Sequence, residues 1–424
     1  MNVPRPEVPP GGERLLSRDG RRLFVTRIAR LFAYGFISVV LVLYLVAAGL
    51  SEARVGLLLT LTLLGDTAIS LWLTTTADRF GRRRTLIAGA GLMILAGVVF
   101  ALTGDFVILL AAATVGVISP SGNEVGPFIA VEQAALSQVV PDEERTRVFA
   151  WYNLVGSFAT ALGSLAGGAL SQGLRGAGAT PLAAYRAVVV GYAMFGGLLA
   201  ILFAGLSRSV EAPQVHGGPA PTRRFGLHRS RGVVAQLAAL FSLDAFAGGF
   251  VVQSMVAYWF HLRFGVAPAT LGAIFFGANV LAGFSALIAV RVAARVGLVN
   301  TMVFTHLPSN VLLVMVPLMP TLPLAISVLL LRFSISQMDV PTRQSYTMAV
   351  VSPDERSAAA GITGVARTTG ASLSPAIAGP LLASPTLAGV PFFLAGGLKI
   401  VYDLLLWQRF RHVGETPGER KSGD

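Results

Sequence analysis

The sequence lacks cysteine altogether and carries little charge. None of its 424 residues is cysteine, which excludes structural disulfides, thiolate metal sites and cysteine nucleophiles. Only 13% of the residues are charged, whereas 54% are hydrophobic and the mean hydropathy is +0.69. A water-soluble enzyme needs a polar surface that this composition does not supply. We therefore expect most of the chain to lie in a lipid bilayer.

Twelve long apolar stretches follow one another, separated by short turns rich in glycine, proline and charge. A helix needs about 20 apolar residues to cross the hydrocarbon core, whereas a membrane β-barrel would show shorter segments of alternating hydrophobicity. The sequence therefore predicts an all-α membrane protein with twelve transmembrane helices. Their expected ranges are 29–49, 55–75, 84–103, 106–138, 147–171, 184–206, 233–258, 270–290, 300–318, 323–350, 358–383 and 390–409.

The distribution of lysine and arginine predicts the orientation of these spans. Of the 33 basic residues, 25 lie in or directly beside the two chain ends and every second loop, and only four belong to the opposite loops. Short loops that retain basic residues stay in the cytoplasm. The sequence therefore predicts cytoplasmic termini in a plasma (inner) membrane, and the basic pI needs no nucleic-acid partner.

The chain contains an internal duplication. Residues 139–170 align with residues 350–381 at a shift of 211 without a gap, which places Glu144-Arg145 on Glu355-Arg356. Two parallel six-span repeats are typical of one large class of transporters. The predicted organisation is a cytoplasmic segment, a six-helix bundle, a cytoplasmic linker, a second six-helix bundle and a cytoplasmic tail, at 1–28, 29–207, 208–231, 232–410 and 411–424.

The loop between the second and third spans reads Asp78-Arg79-Phe80-Gly81-Arg82-Arg83-Arg84. It resembles the G-xxx-D-R-x-G-R-R loop of the major facilitator superfamily, with Thr74 in place of the leading glycine, and the resemblance extends over essentially the whole chain. Gly81 permits a tight reversal between two helices. The resemblance implies two pseudo-symmetric six-helix bundles and a secondary transporter.

The resemblance also implies a cytoplasmic gate built on this loop. Asp78 would face the start of span eleven near Ser357, where a helix dipole favours negative charge. Arg82 would pair with Glu132 low on span four, and Arg79 would belong to the same gate. The alternative is that the arginines of the loop only fix the topology.

Glycine-rich segments occur in the two spans that the duplication relates, at 163–168 in span five and 374–379 in span eleven. Both are similar to an element of the proton-coupled exporters of the superfamily, but each copy is incomplete. Small residues also let helices approach closely without any role in transport. The two explanations remain open.

Several ionisable residues lie inside apolar spans, where a charge costs about 2.5–3.5 kcal/mol and points to function. Glu124, with Asn123 beside it, lies in an interrupted part of span four and is the first candidate for a substrate or proton site. The alternative is a kink that Glu124 stabilises. Asp244 is the second candidate, because the phenylalanines around it in span seven should favour its neutral form.

Two further sets of charges suggest contacts between helices. Asp66 and Arg367 both lie near the middle of their spans, so we expect them to pair as a lock between the halves, unless Asp66 is itself the proton carrier. Arg332, Ser336, Asp339 and Arg343 follow at intervals of 4, 3 and 4 residues and share one helical face, which predicts a polar cavity beside span ten. The alternative is that Asp339 pairs with an arginine of the same stripe.

Span twelve carries Lys399 and Asp403 four residues apart, a spacing that predicts a local ion pair. His306 in span nine is the only histidine that could relay protons within the membrane. No pair of histidines has a metal-ligand spacing, and no nucleotide-binding loop of the Walker type occurs.

The leading interpretation is a secondary active transporter that moves a small organic solute by alternating access, exporting it in antiport with protons. The alternative is a proton-coupled symporter that takes up an organic anion, which Arg332, Arg343 and Arg367 favour. An integral-membrane enzyme or a channel is less consistent with a duplicated chain that lacks a catalytic constellation. We expect the solute, protons and membrane lipid as partners, no cofactor or metal, and a monomer.

Overall fold

The computed structural model describes residues 17–124, 126–211, 227–352 and 355–411. Within these residues the chain forms seventeen α-helices and two 3-10 turns (Arg208–Val210 and Val316–Leu318), and no strand. The helices are α1 (Arg18–Ser38), α2 (Leu41–Ala47), α3 (Glu52–Phe80), α4 (Arg82–Leu102), α5 (Phe106–Val115), α6 (Phe128–Val139), α7 (Asp142–Gly176), α8 (Pro181–Ala204), α9 (Arg231–Gly249), α10 (Gln253–Phe264), α11 (Pro268–Val296), α12 (Leu298–Met315), α13 (Leu322–Ser336), α14 (Asp339–Ala349), α15 (Arg356–Leu373), α16 (Pro375–Leu382) and α17 (Val390–Phe410).

The helices make up the twelve predicted spans, and the all-α fold is confirmed. Seven spans are single helices, and five are pairs: α1–α2, α5–α6, α9–α10, α13–α14 and α15–α16. In the described part of the chain, nine stretches are by themselves long and apolar enough to cross a membrane, or ten when α1 and α2, bent by 45°, count as one. The remaining two spans are the pairs α5–α6 and α15–α16.

The first helix begins earlier than the sequence predicts. Its N-cap is Ser17, whose hydroxyl accepts the backbone N–H of Gly20 at 3.1 Å. Residues 18–28, expected to belong to a polar terminal segment, therefore form the first turns of span one. Arg27 in these turns and Arg30 just beyond them are buried, because they meet carboxylates of a neighbouring span. Hydropathy alone does not recognise such a polar start of a span.

Span four is interrupted between α5 and α6, as its glycines and prolines predict. Gly122 and Gly126 have φ angles of +71° and +79°, which glycine adopts at little cost and other residues rarely do. Non-helical backbone is tolerated at membrane depth only where protein or a wet cavity surrounds it. This interruption of the helix carries Glu124 and contacts both α1 and α3.

The two bundles, α1–α8 and α9–α17, meet through glycines that are related by the duplication. Gly168 of α7 lies against Gly272 of α11, and Gly379 of α16 lies against Gly56 of α3. A Cβ atom added to Gly168 would lie 3.0 Å from the Cα of Gly272, and one added to Gly379 would lie 3.0 Å from the Cα of Gly56. The same contact thus occurs twice, which is the result expected of two pseudo-symmetric bundles.

The glycine-rich segment of span five packs on two sides. Gly163 and Gly167 face the backbone of α1 at Phe32 and Phe36, whereas Gly168 faces α11. A side chain at any of these glycines would overlap backbone atoms of the facing helix. Close packing therefore accounts for this segment, which leaves the resemblance to exporters without separate support.

Polar contacts also join the bundles in the half of the molecule opposite the start of α1 and the end of α17. Gln253 at the start of α10 donates from its amide to the hydroxyls of Ser38 at 2.8 Å and Ser164 at 3.1 Å. Tyr258 donates to Glu52 at 2.7 Å, and the N–H of Ser254 donates to the carbonyl oxygen of Pro120 at 3.0 Å. The bundles are therefore held together in this half of the molecule.

Candidate functional site

A cluster of charged residues fills the centre of the first bundle. Arg27 and Arg30, one turn apart on α1, both donate to the carboxylate of Glu124 in the break of span four. Arg30 also donates to Glu132 of α6. The side chains of Arg30 and Glu132 are fully buried. Removing one member would leave an uncompensated buried charge, which costs about 3–5 kcal/mol.

The same cluster is completed by neutral donors and acceptors. Tyr152 of α7 and Thr26 of α1 donate hydroxyl hydrogen bonds to Glu132, the latter at 3.0 Å. Arg27 donates to the backbone oxygen of Tyr152 at 2.8 Å and to the side chain of Asn153 at 3.2 Å. Span one is thereby tied to spans four and five. Glu124 was predicted as a site residue, and the structure gives it two cationic partners.

Asp66 lies on α3 beside the same interruption of span four but has different partners. Its Oδ1 atom accepts the backbone N–H of Gly126 at 2.6 Å and the hydroxyl of Ser70 at 3.4 Å. No cation is among its contacts in the described residues. Asn123, the residue before Glu124, is exposed. The two predicted site residues in this break, Asn123 and Glu124, therefore differ in their surroundings.

The second bundle has its own cluster around Asp244 of α9. The carboxylate accepts from Lys399 of α17 at 2.5 Å, from Arg343 of α14 at 3.3 Å and from Arg367 of α15 at 3.4 Å. Arg343 also donates to Asp339 at 2.7 Å. The expected apolar surroundings of Asp244 are therefore wrong: Phe241 lies nearby, but cations from three helices meet the carboxylate. Sequence neighbours on one helix could not reveal groups that other helices supply.

Two predicted ion pairs are replaced by other contacts. Asp66 and Arg367, expected to pair, instead contact Gly126 and Asp244 respectively. Lys399 contacts Asp244 rather than Asp403. Asp403 accepts from His306 and from Asn310, each at 2.8 Å, so the predicted proton-relay histidine lies between two carboxylates, with Nε2 3.9 Å from Asp244.

The predicted stripe on span ten divides between two helices. Asp339 and Arg343 on α14 pair with each other, which is the alternative that the sequence left open. Arg332 and Ser336, in the last turns of α13, do not join this pair. The Nε atom of Arg332 and the hydroxyl of Ser336 are buried and have no hydrogen-bond partner.

The loop between α3 and α4 is a tight reversal at Gly81, whose φ angle is +95°. The backbone N–H groups of Arg82 and Arg83 donate to Glu211 at 2.6 and 3.3 Å, so Glu211 caps the start of α4. The side chain of Arg82 donates to Gln138 at 3.1 Å. The expected Arg82–Glu132 pair is wrong, because Glu132 is held by Arg30.

The side chains of Asp78, Arg79 and Ser357 lie outside the described residues, so their predicted gating roles stay predictions. Glu355, directly before α15 in the second bundle, accepts the backbone N–H groups of His228, Arg229 and Ser230. Burial opposes the ionisation of this carboxyl, but these N–H groups and the hydroxyl of Ser230 lower the pKa of Glu355 to about 2. Glu355 therefore ties the start of α9 to the start of α15.

Among the residues that the structure describes, no group of three or more histidine, aspartate or glutamate side chains could hold a metal ion. The two clusters are instead ion-pair networks, each inside one bundle. Such networks inside spans are typical of proteins that move solutes or protons. The sequence profile of the Major Facilitator Superfamily matches residues 23–375. The chain belongs to this superfamily.

Relatives and solved structures agree with this assignment. An uncharacterised membrane protein of Saccharomyces cerevisiae is 30% identical over 419 residues, which cover 92% of this chain and 93% of the yeast protein. An inward-facing, occupied structure of a bacterial homologue of the human lysosomal transporter Spinster superposes with a TM-score of 0.72 at 17% identity, covering 94% of this chain and 98% of the other.

Two further transporters have the same fold. A D-xylose–proton symporter superposes with a TM-score of 0.70 at 15% identity, covering 92% of this chain and 97% of the symporter. The nucleoside transporter NupG gives 0.69 at 13% identity, covering 93% and 100%. At such identities the likeness shows the fold alone. Membership of the superfamily makes this chain a secondary transporter of the membrane and not an enzyme.

Sequence reasoning missed two central residues of the transporter. Arg27 was assigned to the polar terminus, and Arg30, just inside the predicted first span, was not recognised as a site residue, although together they hold Glu124. One signal was available: the two arginines are three positions apart and directly precede an apolar run, so they share one face of a continuing helix. Tyr152 gave no comparable signal, because its role depends on the position of Glu132 on another span.

Proposed function

We propose that this transporter exports a small organic solute in exchange for protons, and that Asp66 carries the proton. The supporting observation is the hydrogen bond from the backbone N–H of Gly126 to Asp66. Glu124 and Asp244 are held by arginine or lysine, whereas the described partners of Asp66 are neutral. A buried carboxyl without a cationic partner exists in its neutral form at a lower cost than in its charged form.

The position of Asp66 links its protonation to the helices that contact the second bundle. Protonation would remove the negative charge that accepts the N–H of Gly126 and so loosen the break in span four. This break carries Glu124, which holds Arg27 and Arg30 on α1. Helix α1 packs on α7, and α7 is the helix that contacts the second bundle through Gly168. A change at Asp66 can thus bias the arrangement of the two bundles.

We also propose that both termini lie in the cytoplasm of the plasma (inner) membrane, as the charge bias predicts, and that the transporter acts as a monomer. The contacts of Gln253 and Tyr258 then lie in the outer half of the membrane-spanning part. In this orientation the structure represents a state closed toward the outside. The loop with Asp78, Arg79, Gly81 and Arg82 would close the cytoplasmic face in the opposite state.

The direction of proton movement tests the proposal. The purified protein is reconstituted into liposomes with a pH-sensitive dye inside and equal pH on both sides, and a panel of solutes is added outside. In antiport, an entering solute drives protons out and the lumen becomes alkaline. Acidification of the lumen would instead support proton-coupled symport. A solute that is transported without any pH change would overturn proton coupling.

The variant Asp66→Asn tests the assigned proton carrier. It should abolish the pH change but keep exchange of labelled against unlabelled solute, because exchange does not require net proton movement. Asp105→Asn is the matched control: Asp105 caps α5 at a loop through the N–H groups of Val107 and Ile108, and asparagine retains this capping. Unchanged proton movement in Asp66→Asn would exclude Asp66 as the carrier.

A further inference from the structure

The stretch of α13 around Arg332 has a cation and a hydroxyl without partners. Within the described residues, Arg332 forms no hydrogen bond or ion pair, and its Nε atom is buried. Its guanidinium lies 5.1 Å from the ring centre of the adjacent Phe333, and Asp244 and Asp339 attract it from a distance too long for an ion pair. Ser336, one turn further on, is 5% exposed, and its hydroxyl also lacks a partner.

Unsatisfied polar groups of this kind need an explanation, because a native chain rarely leaves them buried. A serine inside a helix usually donates to the carbonyl oxygen four residues earlier, as Thr347 does to Arg343 at 2.9 Å. An arginine inside a membrane span normally meets a carboxylate or a carbonyl oxygen. Here both groups lie on the same helical face, four residues apart, and point to a missing acceptor.

The charge balance of the second bundle gives the sign of that acceptor. Four cationic side chains, Arg332, Arg343, Arg367 and Lys399, accompany the three carboxylates Asp244, Asp339 and Asp403. Arg343 and Lys399 are held at distances of 2.5–2.7 Å by these carboxylates. Arg332 is left over, and the side chain of Arg367 is 33% exposed with a single contact at 3.4 Å. This cluster therefore has one more cation than it has carboxylates.

We propose that the transported solute is an organic anion whose carboxylate or phosphate group binds Arg332 and Ser336. This inference rests on the proposed transport function and adds the substrate class to it. A guanidinium donates two parallel hydrogen bonds to a carboxylate or phosphate, and the serine hydroxyl supplies a third donor. The exposed part of Arg367 provides further positive potential on the same bundle.

Ligand-induced stabilisation of the purified transporter tests the site without any gradient. The probes are succinate, benzoate and glycerol 3-phosphate, with inorganic phosphate, and their neutral analogues succinamide, benzamide and glycerol. At least one anion should raise the melting temperature, whereas its neutral analogue should not. The proposal is overturned if no anion stabilises the protein or if neutral analogues stabilise it equally.

Variants then assign the binding to this part of α13. Arg332→Gln should weaken binding of the stabilising anion by at least about tenfold, since a hydrogen bond to a charged group is lost. Ser336→Ala should weaken it by a few fold, and Arg332→Lys should retain part of it. Arg295→Gln, which removes an exposed arginine at the end of α11, is the control and should bind as the wild type does.

The same variants separate this inference from the proposed function. Full anion binding in a folded, monodisperse Arg332→Gln protein would disprove the anion site, even if proton coupling through Asp66 is found. Conversely, loss of binding in Arg332→Gln supports the site even if the liposome assay shows no proton movement. Arg332→Lys guards against misfolding, because it keeps the charge while it removes the planar fork.

Discussion

Gly168 and Gly272 bring the backbones of the two bundles into direct contact. The Cα of Gly272 would lie 3.0 Å from a Cβ atom on Gly168, and such an atom would overlap the carbonyl oxygen of Pro268. Gly379 and Gly56 repeat this contact at the pseudo-equivalent position. Two backbone-to-backbone contacts that only glycine permits thus join the two bundles.

Alanine at Gly168 should destabilise the protein by about 1–3 kcal/mol, because the added methyl group has no space and the helices must separate. The free energy of unfolding in detergent measures this change. Gly173→Ala on the same helix is the control, since nothing lies within 4 Å of its added Cβ. Equal stabilities of the two variants would contradict the contact.

The buried pair of Arg30 and Glu132 should couple strongly. Each single neutralisation, Arg30→Gln or Glu132→Gln, should cost about 3–5 kcal/mol because the remaining charge is buried without its partner. The double variant should cost less than the sum of the two. A double-mutant cycle on the free energy of unfolding measures the coupling.

Arg147 and Glu144 provide the matched comparison for this cycle. Their contact is 3.6 Å, and their side chains are 62% and 38% exposed, whereas those of Arg30 and Glu132 are fully buried. An exposed pair is worth less than about 1 kcal/mol. A coupling energy at Arg30–Glu132 no larger than this value would show that the buried network contributes little.

Lys399 should couple to Asp244 rather than to Asp403, although Asp403 is nearer in sequence. Cycles that combine Lys399→Met with Asp244→Asn or with Asp403→Asn distinguish the two. Groups in direct contact show coupling energies of about 0.5–3 kcal/mol, so the first cycle should give the larger value. A larger coupling energy in the second cycle would instead support the local Lys399–Asp403 pair that the sequence predicted.

Glu355 should make stability depend on pH in the acidic range. Its pKa is about 2 in the folded protein against an ordinary value of 4.5. A carboxyl whose pKa is lowered by folding stabilises the protein fully above its ordinary pKa, and this contribution is lost as the pH falls from about 4.5 toward 2. The melting temperature of Glu355→Gln should therefore differ from that of the wild type more at pH 6 than at pH 3.

A non-titrating substitution at the same end of the molecule controls for general acid effects. Asn300→Ala removes an exposed side-chain hydrogen bond to the carbonyl oxygen of Val296 and should shift the melting temperature equally at both pH values. If the effect of Glu355→Gln is also independent of pH, the backbone N–H groups of residues 228–230 do not act on an ionised carboxylate.

Much of the site could be named from the sequence, but few of its contacts could. Glu124, Asp66, Asp244 and Asp339 stand out because a charge inside an apolar run is costly and therefore rare. Their partners come from other spans, and spacing along one helix carries no information about them. For this reason spacing predicted the local pair Lys399–Asp403, and the family resemblance implied Arg82–Glu132, whereas Asp244 holds Lys399 and Arg30 holds Glu132.

The sequence by itself determined the twelve spans, the two related bundles and the list of membrane carboxylates, because hydrophobic length, duplication and buried charge are properties of the chain alone. Only the tertiary structure decided which cation meets which carboxylate, that α1 begins at Arg18, and that Arg332 and Ser336 lack partners. These depend on the positions of helices that are distant in sequence, and the energy of an ion pair depends on a distance that no pattern along the chain contains.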